Sequence, residues 1–149
     1  MKVTILDLDN CISNDGWRKP TIKHHIANLD ERFLNYHLNS IFDEFVNGHI
    51  IDGAGALIIF TARPDKFRII TEKWMRRNGI EVDRLCMRKA GDHRPSLDVK
   101  LDMLLDEMIE WQLEGIQLDD IIAYDDRQDI VDMYINNGIK AEVLRINKY

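Results

Sequence analysis

The chain is poor in cysteine, poor in positive charge and without a long apolar run. Only two of its 149 residues are cysteine, Cys11 and Cys86. Neither stands in a paired metal-ligand spacing, which excludes a disulfide framework and points to a reducing cytosol. Lysine and arginine number 20 against 26 acids, a formal net charge of −6. Proteins that coat duplex nucleic acid carry the opposite balance, so a broad nucleic-acid-binding surface is not expected. A small basic pocket that reads one phosphate is still compatible with this charge. No stretch approaches the ~20 apolar residues of a membrane span. Asp7 breaks the N-terminal apolar run too early for a secretory leader, and the expectation is a cytoplasmic protein with no membrane partner. Internal repeats, low-complexity tracts and linkers are missing too. With 45% apolar residues, disorder is excluded, and residues 1–149 read as one domain with a substantial core.

What the chain does have is an unusual strand. Val3-Thr-Ile-Leu-Asp-Leu-Asp-Asn-Cys-Ile12 is a β-branched apolar run, which reads as buried strand. It ends in Asp7 and Asp9. Desolvating a charge without a partner costs several kcal/mol, roughly. Two acids at the mouth of such a strand therefore point to a bound cation, a proton-transfer role, or both. The shape recurs near the other end, where Ile121-Ile-Ala-Tyr124 runs into Asp125 and Asp126, with Asp129 close behind. Two apolar strands that both end in acids point to one shared metal site.

Between these ends, strand and helix signals alternate. Strands are expected at about 2–8, 56–60, 84–87, 121–124 and 141–146. A helix is expected over roughly 30–50, from the recurrence of Phe33, Leu34, Leu38, Ile41, Phe42 and Phe45 at helical steps. Others are expected from Pro64 to about Asn78, from Ser96 to about Trp111 with Leu97, Leu101, Leu104 and Leu105 inward, and over 127–137. Gly79 and Gly138 suit helix ends. Alternation of this kind predicts an α/β fold, a three-layer Rossmann-like parallel sheet of about five strands with helices on both faces. Ligands of such sheets bind beyond the carboxyl ends of the strands. Asp7, Asp9, Thr61, Asp125 and Asp126 all stand at strand ends and are predicted to converge there.

Each candidate also has a plainer reading. An Asp-x-Asp pair is often a solvated turn. Thr61, in Phe60-Thr-Ala-Arg63, either donates to a phosphate oxygen or caps the following helix. The planar guanidinium of Arg63 suits a phosphate, or is a surface cation. Lys100 is a solvent-facing lysine or, from its spacing to Leu97, Leu101 and Leu104, a charge buried at the apolar face. Asp129 falls in a first helical turn, where the helix dipole favours acids; that explanation does not extend to Asp125, on the strand side.

The order Asp7-x-Asp9, Thr61, Lys100, Asp125-x-x-x-Asp129 resembles the haloacid dehalogenase superfamily, and the resemblance covers most of the chain. More narrowly, the chain is similar to the phosphatase domain of bacteriophage-type polynucleotide kinase-phosphatases. The similarity rests on Arg18, eleven residues after Asp7, on the Thr-Ala-Arg turn at Arg63, on Cys86-Met-Arg-Lys-Ala-Gly-Asp-His-Arg94, and on Ile122-Ala-Tyr-Asp-Asp-Arg127 leading to Val131-Asp-Met-Tyr134. No Gly-x-x-x-x-Gly-Lys-Ser/Thr loop is present, so no kinase accompanies it. Asn10 and Cys11 depart from the family's usual Gly and Thr. Cys11 is not read as a nucleophile, because no glycine-rich anion loop ending in arginine follows it.

The resemblance implies a magnesium-dependent phosphomonoesterase. Asp7, the Asp9 carbonyl and Asp125 would hold Mg2+. Asp7 would attack phosphorus, Asp9 would act as general acid and then base, and Thr61 and Lys100 would hold the phosphoryl oxygens. Asp126 and Asp129 would orient Lys100 or metal-bound waters, and Arg18 and Arg63 would bind the substrate phosphate. Residues 13–55 are too few for a large cap domain. An uncapped site suits a nucleic-acid end; a homo-oligomer or partner could also cover it, and the acidic composition favours a nucleotide or small ester. Three competing readings are a phospho-accepting signalling domain, whose acids come in a different order, a silent binding module, and an acid-cluster nuclease.

Overall fold

The structure, a computed structural model, describes residues 1–17 and 39–148. Its frame is a five-stranded sheet in the order β5-β4-β1-β6-β7, with every neighbouring pair parallel. The strands are β1 (Val3–Leu6), β4 (Ala56–Pro64), β5 (Arg84–Arg88), β6 (Ile121–Asp125) and β7 (Lys140–Val143). A small antiparallel pair, β2 (Ser13–Asn14) with β3 (Glu44–Phe45), follows the mouth of β1. The helices are α1 (Gly48–Asp52), α2 (Arg68–Arg77), α3 (Ser96–Glu114) and α4 (Gln128–Asn136). Among the described residues, no helix is long and apolar enough to cross a membrane.

Strand alternation sorts the core into two layers. Val3, Ile5, Ile58, Phe60, Ile121 and Ala123 pack against Val99, Met103, Leu104 and Trp111 of α3 and Ile130, Met133 and Tyr134 of α4. Leu6, Leu57 and Ile59 face the other way, with Trp74 and Met75 of α2. The expected α/β architecture with helices on both faces is what forms.

Three expectations change. The helix read over 30–50 lies partly outside the described residues. Its described part is a 3-10 turn at Asn39–Phe42, then β3, then α1. Tertiary partners take the polar groups that a helix would have used. Val46 N–H donates to the Ile12 carbonyl, and the Asp43 carbonyl accepts from Trp74 Nε1. Phe42, expected inside, is exposed. In α3 the buried face runs through Val99, Lys100, Met103, Leu104, Glu107 and Trp111, and Leu105 turns outward. Finally, Pro64 ends β4 rather than opening a helix, a 3-10 turn at Asp65–Phe67 intervenes, and α2 begins at Arg68.

Gly55 shows how tightly β1 is seated. Its φ is +67°, and a Cβ there would lie 2.5 Å from the Lys2 carbonyl oxygen. That carbonyl accepts the Ala56 N–H that begins the β1–β4 pairing. Gly55→Ala should therefore lower the unfolding free energy by about 2–4 kcal/mol, read by urea titration. A loss below about 0.5 kcal/mol would contradict this seating.

Candidate active site

Strand parity builds the site. Asp7 continues the alternation of Val3 and Ile5, and Asp125 that of Ile121 and Ala123, so both point to the α3 side. β1 and β6 run in register, Ile5 beside Ala123 and Leu6 beside Tyr124, and the Asp7 N–H donates to the Tyr124 carbonyl. One residue further, the two carboxylates are neighbours. The buried face of α3 brings Lys100 to them. Lys100 Nζ lies 3.0 Å from Asp7 Oδ1 and 2.5 Å from Asp125 Oδ2, with all three side chains nearly sealed from solvent. The buried-charge reading of Lys100 therefore describes its position.

Electrostatics follow from this crowding. Burial pushes the Asp7 carboxyl well above its usual range, and repulsion from Asp125 adds to that, while Lys100 pulls it down. Burial also raises Asp125 against the pull of Lys100. Burial opposes the Lys100 ammonium, yet Asp7 and Asp125 hold its pKa well above the ordinary lysine value. Carboxylate oxygens of Asp7, Asp125 and Asp126 all lie within 4.8 Å of one another. Hard oxygen donors at this spacing, with one ammonium among three acids, fit a divalent cation such as magnesium, whose charge would reverse the upward pressure on the acids.

Asp9 belongs to a second ion group on the other helix layer. Arg63 Nη2 donates to Asp9 Oδ1 at 2.7 Å, and Arg63 Nη1 to Thr71 Oγ1 of α2 at 2.8 Å. Asp43 Oδ2 stands 3.9 Å from the same guanidinium and accepts from Ser13 Oγ at 2.6 Å. Sequence reasoning aims Arg63 at a substrate phosphate. In the structure its side chain is 1% exposed and turned onto Asp9.

Thr61 is buried within β4, where the pairing with β5 shifts register before Pro64, and its Oγ1 accepts the Arg63 N–H at 3.1 Å. No helix is capped by it. The Asp125 Oδ1 accepts the Arg127 N–H at 3.1 Å. Asp129 does not join the cluster: it is exposed and paired with Arg127, whose Nη2 lies 2.6 Å from Asp129 Oδ2. The contacts of Lys100 are with Asp7 and Asp125. Arg18 lies outside the described residues. Cys11 is fully buried, and burial beside Asp7 pushes its thiol well up, so it is held as an unreactive neutral group.

Asp7, Asp9, Thr61, Arg63, Lys100 and Asp126 line an open pocket of about 690 Å³. Its walls are the turn after Thr61, with Lys66, and the loop after β5, with Lys89 and His93. Arg88 and Arg94 brace that loop from within. Arg88 Nη1 donates to the Asp92 and Arg94 carbonyls, and Arg94 Nη2 bridges Asp92 and Asp102 at 2.8 and 2.5 Å. Sequence reasoning passed over Asp43, Thr71 and Lys66. An acid inside the apolar run Ile41-Phe-Asp-Glu-Phe45 was the one available signal for Asp43; Thr71 had none, since only its partner Arg63 reveals it.

Removing the Lys100 ammonium leaves two buried carboxylates facing each other. Lys100→Met should lower stability by about 3–5 kcal/mol in urea unfolding without added metal, and added magnesium should recover part of it. Unfolding at the wild-type urea concentration would contradict the buried ion group.

Comparison with known proteins gives the following. The family profile for the "Polynucleotide kinase PNKP phosphatase domain" matches residues 1–148. No curated protein matches the chain. Among solved structures, the Pnkp1/Rnl/Hen1 RNA repair complex contains a chain with TM-score 0.68 and 22% identity, over 99% of this chain and 43% of that one. A second structure of the Pnkp1/Rnl/Hen1 complex gives TM-score 0.75 at 20% identity, over 99% and 46%. A haloacid dehalogenase-like family hydrolase from Streptococcus pneumoniae gives TM-score 0.62 at 11% identity, over 95% and 83%. The chain thus spans less than half the length of the Pnkp1 complex chains it matches, and these structural likenesses show the fold.

Proposed function

The chain belongs to the family of polynucleotide kinase PNKP phosphatase domains and is a phosphatase of the haloacid dehalogenase type, and on that footing we propose that it is a magnesium-dependent phosphomonoesterase acting on a nucleotide or nucleic-acid 3′-phosphate. The observation that carries this reading is the Asp7–Lys100–Asp125 group, whose Asp7 and Lys100 line an open pocket. A phosphomonoester dianion repels a carboxylate nucleophile, and attack requires that this charge be neutralised first. Lys100 supplies one fixed positive charge beside Asp7. Asp7, Asp125 and the Asp9 carbonyl would hold magnesium, with Asp126 beside them, and the ion would supply further neutralisation of the phosphoryl oxygens.

Asp7 attacks phosphorus and forms an aspartyl-phosphate as the ester oxygen departs. Asp9 gives that oxygen its proton, then takes one from the water that cleaves the aspartyl-phosphate. Arg63 fixes the Asp9 carboxyl for both steps and is itself fixed by Thr71 and Asp43. Thr61 and Lys100 hold the phosphoryl oxygens as charge spreads. Arg18 is proposed to meet the substrate phosphate.

The walls favour a substrate that extends beyond one phosphate. Lys66, Lys89 and His93 line a cavity far larger than a phosphate group needs. Lys66 and Lys89 offer local positive charge on a chain that is acidic as a whole. An internucleotide phosphate next to the scissile ester fits that arrangement, and a nucleic-acid end is the partner it favours.

The experiment is a panel of 3′- and 5′-nucleotides, oligonucleotides with a terminal phosphate and a generic aryl phosphate, assayed for phosphate release with and without magnesium. Release is expected only with the metal. Asp7→Asn should lose at least about 10³-fold in kcat on every compound. Wild-type-like turnover by that variant would refute the nucleophile. A long-lived phosphoprotein without phosphate release would favour the signalling reading. Lys89→Ala combined with His93→Ala should raise KM for a 3′-phosphorylated oligonucleotide by about tenfold while changing that for the aryl phosphate less than twofold. Equal effects on the two would remove the basic walls from substrate recognition.

A further inference from the structure

The last residues of the expected final strand leave the sheet. β7 stops at Val143, and Leu144–Asn147 cross the carboxyl edge of the sheet to the two acid-bearing loops. The Leu144 N–H donates to the Asp125 carbonyl at 2.9 Å. Arg145 donates twice to the Asp126 carbonyl, from Nε at 3.0 Å and Nη2 at 2.7 Å. The Ile146 N–H donates to the Asn10 carbonyl at 3.0 Å. Asn147 Nδ2 reaches Asn14 Oδ1 at 3.0 Å.

Asn10 closes this strap. It directly follows Asp7-x-Asp9, and its φ of +62° is the only left-handed value among the described non-glycine residues. Asparagine tolerates that conformation better than most side chains. Its amide then forms a two-point clasp on one residue of the strap. Asn10 Oδ1 accepts the Asn147 N–H at 2.7 Å, and Asn10 Nδ2 donates to the Asn147 carbonyl at 2.9 Å. The same Nδ2 lies 3.3 Å from Asp126 Oδ2. Asn10 is buried, so these bonds form largely out of water.

We infer that Leu144–Asn147 is a strap that holds Asp126 within the acid cluster, and that Asn10 is the positioning residue that fastens it. Three acids crowded on two separate loops repel one another, and each loop would otherwise relax outward. The strap ties the end of β6 to the segment after β1 at four residues: Asp125 and Asp126 on one side, Asn10 and Asn14 on the other. It therefore keeps the carboxylates at cation-binding spacing before any ion arrives. Partners that orient metal ligands commonly contribute 10–100-fold, roughly, to metal affinity. The inference rests on the magnesium reading proposed above.

The test compares the full wild-type chain with Asn10→Gly, which keeps the backbone conformation and removes the clasp, and with Arg145→Ala, which cuts the exposed link to Asp126. Magnesium binding is measured directly by calorimetry, and phosphate release is measured against magnesium concentration. Both variants should bind magnesium about tenfold more weakly, with kcat returning to within about twofold of wild type at saturating metal. Unchanged magnesium affinity in both, even with a lower melting temperature, would reduce the strap to a structural feature and overturn the inference while leaving the magnesium reading intact. A rate loss that saturating magnesium does not restore overturns it as well, since the strap would then act on the reacting groups. If Asn10→Gly fails to fold, Arg145→Ala decides by the same criteria. A wild-type chain that binds no magnesium overturns both readings.

Discussion

An ammonium sealed between two carboxylates is the constraint on which the site depends. Lys100 comes from α3, Asp7 from the residue after β1 and Asp125 from the end of β6, and none has access to enough water to exist alone in that position. Buried ions are retained only where geometry compensates desolvation. The seating of α3 on the sheet is thus coupled to the chemistry: the same turns that bury Val99, Met103 and Leu104 deliver the ammonium. Packing errors of an ångström on that face would be felt at Asp7.

The two acids of the Asp-x-Asp pair are managed by different layers. Asp7 is answered from α3, on one face of the sheet. Asp9 is answered through Arg63 by Thr71 of α2, on the other. Period-two alternation would put both side chains on one face of an ideal strand. The strand, however, ends at Leu6, and the turn that follows lets Asp9 swing away. This separation gives two neighbouring carboxyls distinct environments, one crowded with acids around an ammonium and one held by a guanidinium.

Much of this could be read from the order of residues. Apolar runs before Asp7, Thr61 and Asp125 marked parallel strands, and parallel strands bring their ends together, so the convergence of these residues and the sheet around them was visible in advance. The helical spacing of Lys100 among leucines placed it at the apolar face. What local pattern could not supply was tertiary context. Phe33 to Phe45 repeats at helical steps, yet the described part forms a turn and a strand, because Ile12 and Trp74 offer its backbone better partners. Arg63 looks like a phosphate ligand from its neighbours in sequence, and only the fold shows that Asp9 and Asp43 occupy its guanidinium. Asp129 keeps the right spacing from Asp125, but the first turn of α4 points it to Arg127 and solvent.

The sequence by itself determined the sheet, its direction, the edge at which the acids gather and the family to which they belong, because these follow from periodicity and the order of motifs along one dimension. Only the tertiary structure decided which charge answers which. The pairing of Lys100 with Asp7, of Arg63 with Asp9, and of Asn10 with a strap 137 residues away depends on distances of a few ångströms across chain ends. Hydrogen bonds and ion pairs fall off over that length, and no periodic pattern encodes it.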